Sequence, residues 1–228
     1  MDINHFFSTP VFLLKDQKFD EHIDQLLKEV YEWKSSDTEL LVRSNKGGWH
    51  SDTHIFRRKE PGIQRLCKLM INTFNQCTKE IAPDFDVSKM DLQGEGWVNV
   101  NPKYSYNVPH DHPGYTWSGV YYAKVKKREP GERDGAIEFL DPRTSVAALA
   151  TDIAKSSKYF SPKQTIHPQD GFIVIFPSYL RHWVYPHEDD EDRISFAFNI
   201  KYTPKKNQNQ MLTEKQKLSG KNNRGPRP

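Results

Sequence analysis

The chain has 228 residues, a length that fits one large domain, and its mean hydropathy of -0.82 with no long apolar run excludes a transmembrane helix. Aromatic residues make up 12% of the sequence, which favours a β-rich interior with an aromatic-lined cavity over a helical bundle. The net charge of +3 is unevenly spread, because residues 203–228 carry seven basic side chains and one acidic one. Residues 1–202 are therefore mildly acidic.

Residues 203–228 form a basic tail that is poor in apolar residues, and we expect it to be disordered. Such a tail can hold a nucleic acid or an acidic partner electrostatically, although a solubilising terminus is the more common role. Residues 1–202 are predicted to form a single domain.

The compartment is predicted from the first residues and from the cysteines. Residues 1–7 contain neither a basic region nor an apolar stretch of the kind found in secretory signals. Cys67 and Cys77 fall in one predicted helix, about 15 Å apart at about 1.5 Å per residue, so they cannot pair with each other. We expect a reduced, cytoplasmic protein.

The first half of the chain predicts one strand and two helices. Residues 6–14 are typical of a strand with Pro10 at its edge. Asp20 is a candidate cap for a helix that runs to Trp33, and a second helix begins near Pro61 and ends before Pro83. Both helices have an apolar stripe at helical spacing: Ile23, Leu26, Leu27, Val30 and Tyr31 in the first, and Ile63, Leu66, Cys67, Met70, Phe74, Cys77 and Ile81 in the second. Residues 47–51 are predicted to be a loop that enters a strand.

After Pro83 the pattern becomes extended. The predicted strands cover residues 97–101, 117–125, 135–140, 171–177 and 194–202. Residues 142–162 show no clear strand and are predicted to be a lid or a crossover. Strands separated by short turns, with helices ahead of them, indicate an α+β or mainly β fold: a double-stranded β-helix (jelly roll, cupin-like) buttressed by N-terminal helices.

Three histidines suggest a metal site. His110 and His112 are two residues apart, so on a strand their imidazoles point to the same side while Asp111 points away. His182 follows a fully apolar strand and can meet them across two sheets. Three protein ligands with open positions are typical of a catalytic site. A His-Asp-His sequence on a surface turn is the ordinary alternative.

Arg193 and Ser195 suggest an anion site beside the metal. A guanidinium can hold a carboxylate by two parallel hydrogen bonds, and the hydroxyl of Ser195 adds a third donor on the same side of the strand. The alternative is an ordinary ion pair between Arg193 and the acidic residues 189–192. Four further histidines are expected to be surface or hydrogen-bonded residues rather than ligands: His50, His54, His167 and His187.

In these motifs the chain resembles the 2-oxoglutarate- and iron(II)-dependent oxygenases, in particular a small uncharacterised family related to prolyl hydroxylases. That family carries a His-x-Asp or His-x-Glu pair, a distal His, and an Arg-x-Ser roughly ten residues later. The matching segments here are 110–112, 182 and 193–195, with flanking similarity at 7–11, 48–51, 118–122, 171–178 and 193–199. The resemblance covers nearly everything before the tail.

The resemblance implies an enzyme that binds iron(II) at His110, His112 and His182 and uses O2 and 2-oxoglutarate, which is decarboxylated to succinate while a substrate is hydroxylated. It implies that Arg193 and Ser195, with Tyr104 or Tyr106, hold the far carboxylate of 2-oxoglutarate. Further aromatic residues are candidates for cavity walls and co-substrate contacts: Tyr121, Tyr122, Trp117 and Trp183.

The carboxylate position of the family's metal triad is His112 in this chain. Either the site uses three imidazoles, which we favour, or a β-bulge rotates Asp111 inward. A neutral triad leaves the metal with one more unit of positive charge than the usual set, which favours a dianionic co-substrate.

Two other functions fit the same residues. Three imidazoles also suit zinc, as in a metal-dependent cupin-like hydrolase or isomerase, although the Arg193 and Ser195 pair then has no evident role. A non-catalytic jelly-roll binding module is the third possibility. The sequence is compatible with a small-molecule or a peptide substrate, for instance a prolyl or other amino-acid side chain, and no membrane partner is expected.

Overall fold

The computed structural model describes residues 7–38, 41, 43–126, 133–143 and 159–205. Two helices, α1 (Phe19–Ser36) and α2 (Pro61–Ile81), lie among strands that form most of the fold. The strands are β1 (Phe12–Lys15), β2 (Asn45–Lys46), β3 (Trp49–His50), β4 (Met90–Asn101), β5 (Tyr106–His110), β6 (Trp117–Lys124), β7 (Ile137–Leu140), β8 (Lys163–Ile166), β9 (Phe172–Pro177), β10 (His182–Val184) and β11 (Arg193–Pro204). Short 3-10 helices occur at Ile55–Arg57 and Val87–Lys89.

The strands form two antiparallel sheets. The larger sheet has the order β1-β9-β6-β11-β4-β3, and the smaller has the order β2-β5-β10-β7-β8. Apart from the pairs β3–β4 and β7–β8, neighbouring strands in both sheets are non-consecutive along the chain, which is the connectivity of a jelly roll. The predicted double-stranded β-helix with N-terminal helices packed against it is confirmed.

The main hydrophobic core lies between the helices and one face of the larger sheet. Successive side chains of a strand point to opposite faces, and the strands β4, β6, β9 and β11 each present an apolar row to the helices. The buried residues of this core come from all of these elements: Leu26, Val30, Ile63, Leu66, Met70, Phe74, Val98, Val100, Tyr121, Ile173, Ile175, Phe196, Phe198 and Ile200. The other face of the same sheet is thereby left free to meet the smaller sheet.

A buried carboxylate joins the two helices. Glu29 of α1 accepts hydrogen bonds from the backbone N–H groups of Gly62 and Ile63, both at 2.9 Å. An anion at this position satisfies two orphan donors of α2 and interacts favourably with the helix dipole. The predicted cap of α1 was wrong, because the capping position is Lys18, without a side-chain hydrogen bond, and Asp20 lies in the first turn.

The strands β2, β8 and β10 were absent from the sequence predictions, since each has four residues or fewer. The strand β5 was anticipated only as the extended segment that carries His110 and His112. The strand predicted at 6–14 corresponds to β1, and residue 6 lies outside the described residues. Most of the predicted lid or crossover, and the tail beyond Lys205, also lie outside them. The strand β11 continues to Pro204. The predicted tail and the domain boundary at 202 are not tested by the described residues, so both stay predictions.

The cysteines are unpaired and buried, and burial raises the pKa of Cys67 to about 12 and that of Cys77 to about 11. Of the helices in the described part of the chain, neither has the length and apolar composition needed to cross a membrane.

Candidate metal centre

A β-bulge in β5 sets the position of the first histidine. His182 of β10 pairs with His110, but Val184, two residues later, pairs with Asn107, so β5 contains one extra residue in this interval. The extra residue allows both His110 and Asn107 to line the same cavity. The predicted alternative also required a bulge, but one at Asp111, which is instead exposed and outside the group of possible ligands.

His112 lies just after β5, in the turn that leads to β6. Its backbone N–H donates to the carbonyl of Ser178 at 2.9 Å, and the backbone N–H of Ser178 donates to the carbonyl of Thr116 at 3.2 Å. The turn after β9 therefore fixes the turn after β5. His110 and His112 approach each other because of these loop contacts, and not by the strand alternation that the sequence suggested.

His182 begins β10, which lies between β5 and β7 in the smaller sheet. It is buried, and its ring packs against Phe176 with 4.8 Å between the ring centroids. The preceding turn is closed by the backbone N–H of Leu180, which donates to the carbonyl of Pro177 at 2.9 Å. The turn that follows the apolar strand β9 therefore positions His182 in the cavity.

The three imidazoles are adjacent. The ring centroids of His110 and His182 are 4.4 Å apart, those of His110 and His112 are 4.9 Å apart, and those of His112 and His182 are 5.3 Å apart. One ring nitrogen from each lies within 4.8 Å of the other two. The three histidines are positioned to bind a metal.

Backbone carbonyls orient two of these rings. Nδ1 of His110 donates to the carbonyl of Val108 at 2.7 Å, and Nδ1 of His182 donates to the carbonyl of Leu180 at 2.9 Å. In each case the partner is two residues earlier in the chain. The proton on Nδ1 leaves a lone pair on Nε2, which is the atom that a metal requires.

The three rings are neutral at physiological pH. Burial lowers the pKa of His110, lowers that of His112 to about 4 with a contribution from the charge of His110, and lowers that of His182 well below 6.5. Metal binding needs deprotonated imidazole, so the site does not have to release protons at pH 7.

Arg193 lines the same cavity at its other end. It is 3% exposed, and its Nε has no hydrogen-bond partner among the described residues. Its guanidinium donates to the hydroxyl of Ser195 at 3.3 Å and lies over the ring of Tyr122, 5.2 Å from the centroid. Burial lowers the pKa of Arg193, and the nearby Asp134 opposes this shift. A buried cation with an orphaned N–H is a suitable partner for a carboxylate.

The acidic residues 189–192 do not form the ion pairs with Arg193 that the alternative interpretation requires. Each of them is paired with a lysine from another part of the chain: Asp189 with Lys126, Asp190 with Lys103, Glu191 with Lys124 and Asp192 with Lys34. These contacts hold the loop that precedes Arg193.

The predicted tyrosines are divided by the structure. Tyr122 lines the cavity, and burial raises its pKa to about 12. Its neighbour Tyr121 points to the opposite face, where its hydroxyl donates to Asp16 at 3.2 Å, so its predicted role as a co-substrate contact needs correction. Tyr104 is 69% exposed and Tyr106 is 39% exposed, and neither lines the cavity.

The tryptophans show the same division. Trp117 lies on the helix side, where its indole N–H donates to Thr78 at 2.9 Å. Trp183 is partly exposed beneath Lys163 and does not line the cavity. The aromatic wall beside the histidines is Trp97, whose ring centroid is 5.9 Å from that of His112. Sequence reasoning placed Trp97 in a strand without assigning it to the site.

Several polar residues of the cavity were also missed: Ser44, Asn99, Asn107, Ser118 and Asn199. Asn99 is 6% exposed, and its Oδ1 has no hydrogen-bond partner among the described residues. The signal was present in the sequence, because Asn99 occupies a polar position of the alternating pattern 97–101. Polar residues on the inward face of a strand in a jelly roll indicate a cavity.

The four histidines that the sequence analysis expected not to be ligands lie outside the group of possible metal ligands. His50 is buried beneath Trp97, and His54 lies near Asp52 with a nitrogen–oxygen distance of 3.5 Å. His187 is buried and contacts Asp134 and the carbonyl of Glu191. His167 lies near Arg193 on the side away from the metal ligands, with a buried Nδ1 that lacks a partner among the described residues.

Comparisons with known proteins agree with this geometry. Residues 95–199 match a family model described as "Putative 2OG-Fe(II) oxygenase". No curated protein matches the chain. Similar solved structures include a prolyl 4-hydroxylase from Pseudomonas putida, with 12% identity, a TM-score of 0.54 and coverage of 83% of this chain and 91% of that one.

Two further structures are similar at the level of the fold. One is a prolyl hydroxylase from Trichoplax adhaerens in complex with a peptide fragment of hypoxia inducible factor, with 12% identity, a TM-score of 0.57 and coverage of 84% of this chain and 83% of that one. The other is HygX from Streptomyces hygroscopicus with nickel and 2-oxoglutarate bound, with 14% identity, a TM-score of 0.55 and coverage of 86% and 83%.

The fold and the site together define a jelly-roll enzyme whose two sheets enclose a metal-binding triad and a buried arginine. Residues 95–199, which contain all five of the motif residues, match the model of a 2-oxoglutarate- and iron(II)-dependent oxygenase family. This match supports the family suspected from the sequence.

Proposed function

We propose that the protein is a 2-oxoglutarate-dependent hydroxylase whose iron(II) is bound by His110, His112 and His182. The observation that carries the proposal is the pairing, in one cavity, of a neutral three-histidine cluster with the buried Arg193 and its neighbour Ser195. The family match over residues 95–199 supports it independently.

The residues present fit the metal and the co-substrate. Three nitrogen donors leave open positions on an iron ion, and Nδ1 of His110 and of His182 is already engaged, so that Nε2 is available. At the other end, the orphaned Nε of Arg193 lacks the acceptor that a carboxylate would supply. When bound, iron(II) and 2-oxoglutarate supply the activation of O2 and the oxidation of a C–H bond.

The protein's own residues bind and orient these groups. Arg193 and Ser195 hold the far carboxylate of 2-oxoglutarate, and Tyr122 forms the wall against which the guanidinium rests. Phe176, Val120 and Ile137 contribute apolar walls that exclude water from the space between Arg193 and the histidines. Tyr121, Tyr104 and Tyr106 have no part in this proposal.

The substrate side of the cavity favours a neutral polar group. Ser44, Asn99 and Asn107 line it, and the amide of Asn107 donates to the hydroxyl of Ser44 at 3.2 Å. Among the cavity-lining residues that the structure describes, Arg193 is the only one with a permanent charge. An amide, as in a peptide backbone, has the donors and acceptors that match these side chains. We therefore propose a peptide substrate, with a prolyl or other amino-acid side chain as the hydroxylated group.

The location and the tail complete the proposal. The cytoplasm remains the proposed compartment, in keeping with the expectation from the cysteines. The basic tail is proposed to be a solubilising terminus and not a nucleic-acid-binding segment.

The test is an anaerobic titration with iron(II) and then 2-oxoglutarate, followed by visible spectroscopy of the metal-to-ligand charge-transfer band. We expect a weak band in the unaltered protein. His182→Ala should abolish both the band and iron binding, whereas Arg193→Ala should retain iron and weaken 2-oxoglutarate binding by about 10- to 100-fold, since a charge-assisted pair contributes about 1.5 to 3 kcal/mol. Tyr121→Phe, on the opposite face of the sheet, is the control and should match the unaltered protein.

The ligand set is tested by two further variants. His112→Ala should lose the band, and Asp111→Ala should keep it, because the carboxylate of Asp111 is exposed. The reverse result would assign Asp111 as the third ligand. Tight zinc binding without any 2-oxoglutarate-dependent spectral change or succinate formation would favour the zinc hydrolase or isomerase instead.

A further inference from the structure

His112 is oriented differently from the other two histidines. Nδ1 of His110 and of His182 meets a backbone carbonyl, which can only accept a hydrogen bond. Nδ1 of His112 instead lies 3.3 Å from Nδ2 of Asn199, the side-chain amide nitrogen of a residue that is 1% exposed. The proton of the His112 ring is therefore not fixed by the backbone.

The neighbours of Asn199 determine which way its amide points. Nδ2 of Asn199 lies 3.3 Å from Oε1 of Glu95, and the hydroxyl of Ser118 donates to Oδ1 of Asn199 at 2.7 Å. A carboxylate can only accept, so Glu95 requires the amide nitrogen on its side. Ser118 can donate or accept, and it adapts to either orientation. Glu95 is itself held by the hydroxyl of Tyr115.

Because Nδ2 has two hydrogens, it donates one to Glu95 and the other to Nδ1 of His112. A ring nitrogen that accepts a hydrogen bond carries no proton, so the proton of neutral His112 is on Nε2. Nε2 is the atom available to a metal, and in this tautomer it has no lone pair. A metal can bind it only after the proton moves to Nδ1 and Asn199 turns its Oδ1 toward the ring.

Turning the amide has an electrostatic cost. The distance between Nδ2 of Asn199 and Oε1 of Glu95 is now 3.3 Å, and it joins a donor to an acceptor. After the turn, Oδ1 of Asn199 would take the place of Nδ2, and two acceptors would be in contact. Two acceptors in contact in a partly buried site repel each other. We propose that Glu95, acting through Asn199, is a positioning residue that holds His112 in the tautomer unable to bind metal and so weakens the third ligand of the triad. This inference rests on the proposed metal site.

The expected effect of removing the Glu95 carboxylate on iron(II) affinity is opposite to the effect of its charge alone. Removal of a nearby negative charge should by itself weaken the binding of a cation. In Glu95→Gln, the new amide nitrogen can donate to Oδ1 of the turned Asn199, so the metal-binding tautomer of His112 becomes accessible. Groups that orient metal-bound histidines affect metal affinity by about 10- to 100-fold. We expect Glu95→Gln to tighten iron(II) binding by about tenfold.

The tautomer can be measured without any metal. In the metal-free protein with 15N-labelled histidine, two-bond 1H–15N correlation spectra should show a proton on Nε2 of His112 and on Nδ1 of His110 and His182. In Glu95→Gln, whose amide can pair with either orientation of Asn199, a form with the His112 proton on Nδ1 should appear. A purely structural role for Glu95 would leave the tautomer unchanged. A proton on Nδ1 of His112 in the unaltered protein would overturn the inference.

Iron(II) affinity is then measured anaerobically for the unaltered protein, Glu95→Gln, and Glu95→Gln combined with Asn199→Asp. The double variant should bind at least as tightly as Glu95→Gln, since a carboxylate at 199 accepts from Nδ1 of His112. Asp91→Asn removes an exposed carboxylate from the same strand and should leave the affinity unchanged. Equal or weaker binding by Glu95→Gln would overturn the inference and leave the proposed function intact, whereas no iron binding by the unaltered protein would overturn both.

Discussion

The two faces of the larger sheet have opposite compositions although the same strands form both. Toward the helices, β11 presents Ile194, Phe196, Phe198 and Ile200, all buried in the core. Toward the smaller sheet, the alternate residues of the same strand are Arg193, Ser195, Ala197 and Asn199, which line the cavity. The helix face gains stability from apolar burial, while the cavity face keeps buried polar groups whose partners are incomplete. One strand therefore supports both the fold and the site, and mutations on its two faces should separate the two contributions.

Phe198→Ala tests the helix face and should have the largest effect on stability. Phe198 is fully buried, and its ring packs against Phe56 with 5.8 Å between the centroids. Removal of a buried aromatic ring from a core costs about 3 to 5 kcal/mol, because apolar contacts are lost and a cavity remains. Chemical denaturation of the metal-free protein measures the loss.

Ser195→Ala is the matched control on the cavity face, three residues earlier. It should change the free energy of unfolding by less than about 0.5 kcal/mol and should weaken 2-oxoglutarate binding instead. If Ser195→Ala destabilised the protein as much as Phe198→Ala, the inference that the helix face contributes stability and the cavity face contributes ligand binding would be wrong.

Gly119→Ala tests how closely α2 packs on the helix face. A Cβ at position 119 would lie 2.7 Å from Cζ of Phe74 and 3.2 Å from Cε of Met70, both in the core. Since buried rings have little room to move, overpacking here should cost about 1 to 3 kcal/mol. Phe74→Leu removes the atom in conflict, so the double variant should be more stable than the sum of the two single effects predicts. Strict additivity in thermal or denaturant unfolding would contradict this packing.

The long elements of the fold could be predicted because their periodicity is strong. The apolar stripe of α2 and the alternation of 194–202 match the observed helix and strand closely. The strand β2 has two residues and β10 has three, so no pattern could identify them. Their pairing depends on tertiary contacts that appear only once the two sheets have assembled.

The three histidines that are positioned to bind a metal could be selected from the sequence, but their geometry could not. The bulge before His110 and the hydrogen bond from His112 to Ser178 arise from contacts between segments that are distant along the chain. The tyrosines show the same limit, because Tyr121 and Tyr122 are adjacent and only the strand register decides which of them faces the cavity. Asn199 was visible as a polar residue in an alternating strand, but its contact with His112 was not.

Arg193→Met tests how much the buried arginine of the cavity face lowers the free energy of unfolding of the metal-free protein. Arg193 is buried with an orphaned Nε, and Asp134 retains other partners in His187 and the backbone N–H of Glu188 if the guanidinium is removed. Replacement of a poorly compensated buried charge by an apolar side chain of similar length is often neutral or stabilising. We expect the free energy of unfolding to rise by about 1 kcal/mol while 2-oxoglutarate binding weakens by about 10- to 100-fold. Marked destabilisation would show that the arginine is already satisfied without a ligand.

His50→Gln tests the smallest effect, which appears in the pH dependence of stability. His50 is 2% exposed, donates through Nδ1 to the carbonyl of Ser51 at 2.5 Å, and stacks on the cavity residue Trp97. Burial lowers the pKa of His50 below 6.5, with Arg43 lowering it further and Glu95 opposing the shift. Below pH 6.5 the unfolded chain therefore binds a proton that the folded His50 does not, and stability falls as the pH decreases. Between pH 7.5 and 5.5 the metal-free unaltered protein should lose more stability than His50→Gln, while the metal-ligating histidines contribute equally to both. An equal loss of stability in the two proteins over this pH range would mean that the folded His50 takes up a proton as readily as the unfolded chain does, and that its ring is more hydrated than its burial indicates.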